Sequence, residues 1–172
     1  METAHEYPVN VTWKSDRKGE LSSPDLTTTF EVATPPQFAK GMPGLWSPEH
    51  LFTAAINSCL MTTFLAVAEN SKLEFESFQC DAFGKLEQVE GKYLMTEVRL
   101  EPKLSILREE DTEKAEKVLH KAEAACLISN SVKSKVIMNI SIDVVKLLSP
   151  IASLYNLPSG VVEQFYHGDL PE

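Results

Sequence analysis

Two cysteines sit where a thiol can do chemistry. Cys59 lies in the segment Ser47-Pro48-Glu49-His50-Leu51-Phe52-Thr53-Ala54-Ala55-Ile56-Asn57-Ser58-Cys59, inside an apolar stretch that reads as a buried helix. Cys126 lies in Ala122-Glu123-Ala124-Ala125-Cys126-Leu127-Ile128-Ser129-Asn130, at the end of an amphipathic helix. Sulfur on each of two packed helices points to a working dithiol more than to a structural staple. Reduction of a peroxide by cysteine is the leading chemistry for such a pair. The third cysteine, Cys80, falls on the apolar face of a strand and reads as core.

The elements that must position these sulfurs follow from periodicity. Val9, Val11 and Trp13 alternate over residues 7–13 and predict a strand; Arg17-Lys18-Gly19 predicts a hairpin turn into a short strand near 20–23. Leu26, Thr28, Phe30 and Val32 predict a third strand, and the Pro- and Gly-rich residues 34–47 a loop. Ser47-Pro48-Glu49 is a helix start: Ser caps free amides, Pro is preset for the first helical position, and Glu complements the positive end of the dipole. The helix over 48–69 is apolar or small nearly all round and is expected to be buried on most sides. Strands over 74–88 and 92–101 follow, turning at Glu90-Gly91. Residues 109–126 predict an amphipathic helix with Ala115, Val118, Leu119, Ala122 and Cys126 as its apolar stripe. A short helix is expected at 129–134, and one last strand through Val136, Met138, Ile140, Ile142 and Val144. The order defines an α+β fold with largely antiparallel pairing.

Bulk properties narrow the function. The 172 residues suit one domain with a sizeable core. The net charge of -9 and the lack of a basic patch argue against nucleic acid as a partner. Polar residues interrupt every long apolar run, so no membrane span is expected. Residues 1–6 are acidic and lack an apolar segment, so no signal peptide is expected and a reducing, cytoplasmic setting follows. The expected organisation is one domain over 1–145, with 146–172 an extension whose Pro150, Pro158, Pro171, Tyr155, Phe165 and Tyr166 fit an extra helix or a partner-binding tail.

Ser-Pro-Glu-His-Leu, a cysteine ten residues after the Glu, and Ala-Cys-x-Ile-Ser-Asn about 67 residues further on together resemble the OsmC-like family, which includes osmotically inducible and organic hydroperoxide resistance proteins. The resemblance covers roughly residues 7–145. It implies a thiol-dependent peroxidase fold: a largely antiparallel sheet wrapped around two central helices, with two chains intertwined as a homodimer. Carried over by motif, Cys59 matches the peroxidatic cysteine, Cys126 the resolving one, Glu49 the helix-start glutamate, and Arg17 the arginine of the N-terminal hairpin. One position departs: the family commonly has Pro directly after the second cysteine, where this chain has Leu127.

The chemistry adds constraints. Attack on an O–O bond needs a thiolate, yet burial on an apolar helix raises a thiol's pKa, so a nearby cation is expected. Arg17, Arg99 and Arg108 are the only arginines. Glu49 can orient a guanidinium, but ten residues of helix separate it from Cys59 by roughly 15 Å. Glu49 and Arg17 are therefore expected to act on Cys59 of a second chain, through antiparallel packing of the Cys59 helices in a symmetric dimer. An apolar lining of Leu51, Phe52, Ile56, Phe64, Phe38 and Met42 favours organic hydroperoxides as substrate. An external dithiol completes the cycle, and no metal or organic cofactor is required. The alternative is a redox-sensing or binding protein on the same scaffold, which oxidises once without turnover.

Overall fold

The structure, a computed structural model, describes residues 4–145. Residues 146–172, the expected extension, lie outside the described residues. Elements run β1 (Asn10–Ser15), β2 (Lys18–Ser22), β3 (Phe30–Ala33), α1 (Pro48–Asn70), β4 (Phe75–Val89), β5 (Lys92–Ile106), α2 (Thr112–Ala125), β6 (Lys135–Met138) and β7 (Ser141–Val144). The fold is α+β and rich in antiparallel pairing. Strands β1, β2 and β3 form one antiparallel sheet, and β4 and β5 form a long antiparallel hairpin.

The last predicted strand is two. It breaks at Asn139-Ile140, and its halves pair with β5 in parallel: Glu97–Leu100 against Lys135–Met138, then Lys103–Ile106 against Ser141–Val144. At the break the Asn139 amide still donates to Leu100 O at 2.8 Å. This pairing holds β5 extended to Ile106, five residues beyond its expected end.

Helix α1 is built as its ends foretold. Ser47 is the N-cap, with Oγ accepting from the His50 amide at 3.3 Å. At the other end the Lys72 amide donates to Glu69 O at 3.0 Å and the Leu73 amide to Ala68 O at 2.9 Å, with Lys72 at φ 51. These bonds close the last carbonyls in a Schellman pattern that seats Leu73 in the core.

The core lies where α1, α2 and β5 meet: Ile56, Leu60, Phe64 and Ala68 against Val98, Leu100, Leu104 and Ile106, and against Ala115, Val118, Leu119 and Ala122. Phe64 stacks on Phe78 at 4.7 Å between ring centroids and meets Phe75 edge-on at 5.1 Å. One expectation fails within a single chain: α1 is not buried on most sides. Its far face, including Met61 and Leu65, is exposed, as are Val9, Val11 and Trp13 along β1. By length and composition α1 is also apolar enough to cross a membrane, against the expectation from its polar interruptions. One face of it packs against β4 and α2.

Because Phe64 is wholly buried between two other rings, Phe64→Ala is expected to cost about 3–5 kcal/mol. Denaturant unfolding measures this; a loss below about 1 kcal/mol means the ring cluster does not anchor α1.

Candidate active site

Cys59 faces the end of α2 from the buried side of α1. Cys126 is the residue at which α2 stops: its backbone turns out of the helix at φ -67, ψ 109, and its carbonyl receives the Asn130 amide at 3.0 Å to start a new short turn. The two thiols are thereby near enough for each to shift the other's acidity, and both are free. Cys126 is fully buried and Cys59 nearly so.

Their surroundings push the two sulfurs apart in acidity. Burial acts on Cys59 most strongly and raises its pKa. Hydrogen bonds from the Cys126 thiol, the Ile128 amide, the Thr63 hydroxyl and the Leu127 amide together outweigh it, so Cys59 titrates below the ordinary thiol range. Cys126 goes the other way: burial raises it, and donating a hydrogen bond to Cys59 raises it further, against opposing bonds from the Ser129 hydroxyl and amide. Ser129 Oγ donates to Cys126 Sγ at 3.2 Å, and Thr63 Oγ1 lies 4.0 Å from Cys59 Sγ. Hydrogen bonds thus run from Ser129 to Cys126 and on to Cys59, which favours the anion at Cys59 over Cys126.

The expected cation is not what acts on Cys59 within one chain; its donors are neutral. Arg17 is exposed in the turn between β1 and β2, where its carbonyl accepts from the Thr34 amide at 3.2 Å. The ladder from Lys18–Ala33 to the Ala33 amide on Trp46 O, at 2.8 Å, sets this turn near the start of α1. Glu49 sits in the first turn of α1, and its Oε2 is buried without a hydrogen-bond partner among the described residues. Arg99 already pairs with Glu101 at 2.8 Å over the Phe83 ring, and Arg108 with Asp111 at 2.8 Å. Among the described residues Arg17 makes no ion pair, so the arginine without an anion and the carboxylate without a donor share one end of the molecule.

That end holds a cavity of about 790 Å³, lined by Phe38, Trp46, Glu49, His50, Asn57, Phe83, Tyr93 and Met95, among others. Of the lining expected from the sequence only Phe38 reaches it. Ile56 and Phe64 are core, because they lie on the face of α1 that packs on β5 and α2. The apolar wall comes instead from β4, β5 and Trp46, whose alternation marked them only as strand or loop residues. The backbone amides of Leu127 and Ile128 carry no sequence signal at all, whereas Ser129, three residues past Cys126, has the spacing of a capping hydroxyl. Cys80 behaves as read: half-buried on β4, with burial foremost in raising it to about 11.

The α+β fold thus carries two neighbouring thiols of unequal acidity. The OsmC-like protein model matches residues 41–141, and the chain belongs to that family. It is 23% identical over 145 residues to the uncharacterized protein YmaD of Bacillus subtilis, spanning 81% of this chain and 95% of YmaD. An OsmC-like protein of unknown function from Vibrio cholerae superposes with a TM-score of 0.71 at 27% identity, over 80% of this chain and 99% of that one. An organic hydroperoxide resistance protein from Elizabethkingia anophelis shares the fold with a TM-score of 0.66 at 22% identity, over 84% of this chain and 100% of that one.

The unequal thiols predict an order of labelling. With iodoacetamide at pH 7, Cys59 reacts before Cys126 and Cys80, and its rate-versus-pH curve bends below the range of a free thiol. Peptide mapping by mass measures this, and first labelling at Cys126 would reverse the assignment.

Proposed function

We propose that this chain is a thiol-dependent peroxidase for organic hydroperoxides. The observation that carries the reading is the contact between Cys59 and Cys126, with acidities pushed in opposite directions. The Cys59 thiolate attacks the distal oxygen of the hydroperoxide. The O–O bond breaks, the alkoxide takes a proton and leaves as alcohol, and Cys59 holds a sulfenic acid. Cys126 then attacks the Cys59 sulfur, releasing water and closing a disulfide. An external dithiol supplies two electrons and two protons to restore both thiols. A reducing compartment such as the cytoplasm keeps the pair ready.

The working unit in this reading is a homodimer. Two apolar surfaces are open on one chain: Val9, Val11 and Trp13 along β1, and Met61 and Leu65 on α1. Covering them with a second copy satisfies the burial that the composition of α1 calls for. Antiparallel α1 helices also bring the partner subunit's Glu49 and the partner subunit's Arg17 toward Cys59, giving the unpaired carboxylate and guanidinium a shared purpose. The neighbours named as organic hydroperoxide resistance proteins, and the aromatic wall of the cavity beside Glu49, support an organic substrate.

Two experiments test this. With an excess of cumene hydroperoxide and a dithiol, the protein consumes many equivalents, Cys59→Ser consumes none, and Cys126→Ser reacts once and then over-oxidises at Cys59. Mapping after one equivalent finds a Cys59–Cys126 crosslink. A single oxidation without turnover establishes a sensor instead, and full activity in Cys59→Ser refutes the reading. Separately, Leu65→Glu places a charge in the proposed interface and is expected to halve the mass seen by light scattering. An unchanged mass moves the dimer contact elsewhere.

A further inference from the structure

One row of α1 faces away from the thiols. Asn57 and Cys59 are two residues apart, so they leave the helix on opposite sides. Glu49, Thr53 and Asn57 recur every fourth residue along that row and line the cavity of about 790 Å³; Cys59 does not line it. Strand β4 runs along the row in the opposite direction. Asn57 Nδ2 donates to Cys80 O at 2.9 Å, and Gly84 passes Thr53 so closely that a Cβ there would meet Thr53 Oγ1 and Met95 Cε. The cavity therefore runs lengthwise along α1. Asn57 lies at one end and Glu49 at the other, eight residues or roughly 12 Å away. Rings wall the Glu49 end: Trp46 meets His50 edge-on at 6.1 Å between centroids, and Phe38 meets Tyr93 likewise at 5.2 Å. The polar groups of the row are unequally satisfied. Thr53 Oγ1 donates to Glu49 O at 2.9 Å, and His50 Nδ1 lies 2.8 Å from Ser47 Oγ. Asn57 Oδ1 and Glu49 Oε2 are each buried and accept no hydrogen bond among the described residues. The bond to Cys80 O fixes how the Asn57 amide is turned, because only its nitrogen can donate to a carbonyl. Its oxygen is a held acceptor closed to bulk water.

We propose that Asn57 sets the substrate specificity of this cavity. Its Oδ1 accepts a hydrogen bond from the far end of an elongated organic hydroperoxide, one whose body carries a hydroxyl or amide N–H roughly 12 Å from the reacting oxygens. The inference rests on the peroxidase reading, in which the hydroperoxide reacts at the Glu49 end, where the partner subunit's Cys59 arrives. In that reading the Glu49 oxygen is met by a guanidinium, and Asn57 Oδ1 is the acceptor left unmet. A buried acceptor discriminates because an analogue without the donor leaves it unpaired where no water can take the place. A carboxylate at that end is excluded most strongly: it brings acceptors to an acceptor and gives up its hydration. The chain between the two ends passes Ala54, Ala82 and the rings, which suit an apolar linker. Long hydroperoxides ending in a hydroxyl or an amide are thereby preferred to those ending in a free acid.

Decyl hydroperoxide and its ω-hydroxy and ω-carboxy counterparts test this at one chain length. With a dithiol present, wild-type kcat/KM for the ω-hydroxy compound is expected to exceed that for the plain one about fivefold or more, and the ω-carboxy compound to fall below both. Asn57→Leu keeps the bulk and removes the acceptor, and the ratio of ω-hydroxy to plain should drop to about one. The ratio is taken within one variant, so any stability lost by unpairing Cys80 O cancels. A second measurement needs no variant. Unreactive decanediol should bind the wild-type protein about fivefold or more tighter than decanol, read as a change in the fluorescence of Trp46 in the cavity wall. Equal rates for the plain and ω-hydroxy compounds, a preference for the ω-carboxy compound, or a preference that survives Asn57→Leu overturns the proposal, as does equal binding of diol and alcohol. If the diol binds selectively while no hydroperoxide is consumed, the Asn57 acceptor site stands and the peroxidase reading falls. If all three hydroperoxides are consumed alike, the peroxidase reading stands and the Asn57 site falls.

Discussion

The contact between Cys59 and Cys126 is the interaction on which the rest of the molecule bears. In the proposed chemistry neither sulfur works alone: one must be ionised, and the other must stand close enough to donate a hydrogen bond to it and later to form a bond with it. The helix pair supplies that closeness through packing. Ile56, Leu60 and Phe64 lock α1 onto β5 and onto Val118, Leu119 and Ala122 of α2, and the two thiols are the next residues along those same buried stripes. The core that stabilises the fold and the geometry that sets the chemistry are one structure.

Burial and ionisation oppose each other at such a site. An apolar environment disfavours a thiolate, and the fold answers with directed dipoles: two amides, a hydroxyl and the neighbouring thiol around one sulfur. The ending of α2 makes this possible. Because the backbone leaves the helix at Cys126 and turns again into a short helical turn over Ser129–Ser131, the Ser129 hydroxyl comes to lie on Cys126. A guanidinium brought by a second copy would add a full charge to these neutral donors. In the proposed dimer, the Glu49 oxygen without a hydrogen-bond partner and Arg17, which makes no ion pair among the described residues, are the parts that would meet the partner subunit's Cys59.

Elements with strong local signals were legible. The cap at Ser47, the stripe of α2, the turn at Glu90-Gly91 and the long hairpin all follow from periodicity and from residues with fixed conformational preferences. The misreadings share a cause in long-range pairing. One strand through 136–144 is two, because parallel registration on β5 breaks at Asn139, and β5 itself runs longer for the same reason. The cavity wall was assigned to Ile56 and Phe64, which the core had already claimed, since apolarity alone does not tell a lining from a core. Exposure of Met61 and Leu65 was invisible to a pattern that could only call α1 apolar.

At the site itself, sequence determined which atoms are present: two cysteines at helix positions that face a common core, a glutamate at a helix start, an arginine in a turn, and a serine spaced to reach Cys126. Residue type and helical period are local properties, and they can be read locally. Tertiary structure alone decided how those atoms act. It chose neutral amides over a cation as the donors to Cys59 within one chain, made the two thiols unequal, and left Glu49 without a partner. Every residue but proline carries an N–H, so only the folded path of the chain, and not the identity of any residue, can say which of them meets a sulfur.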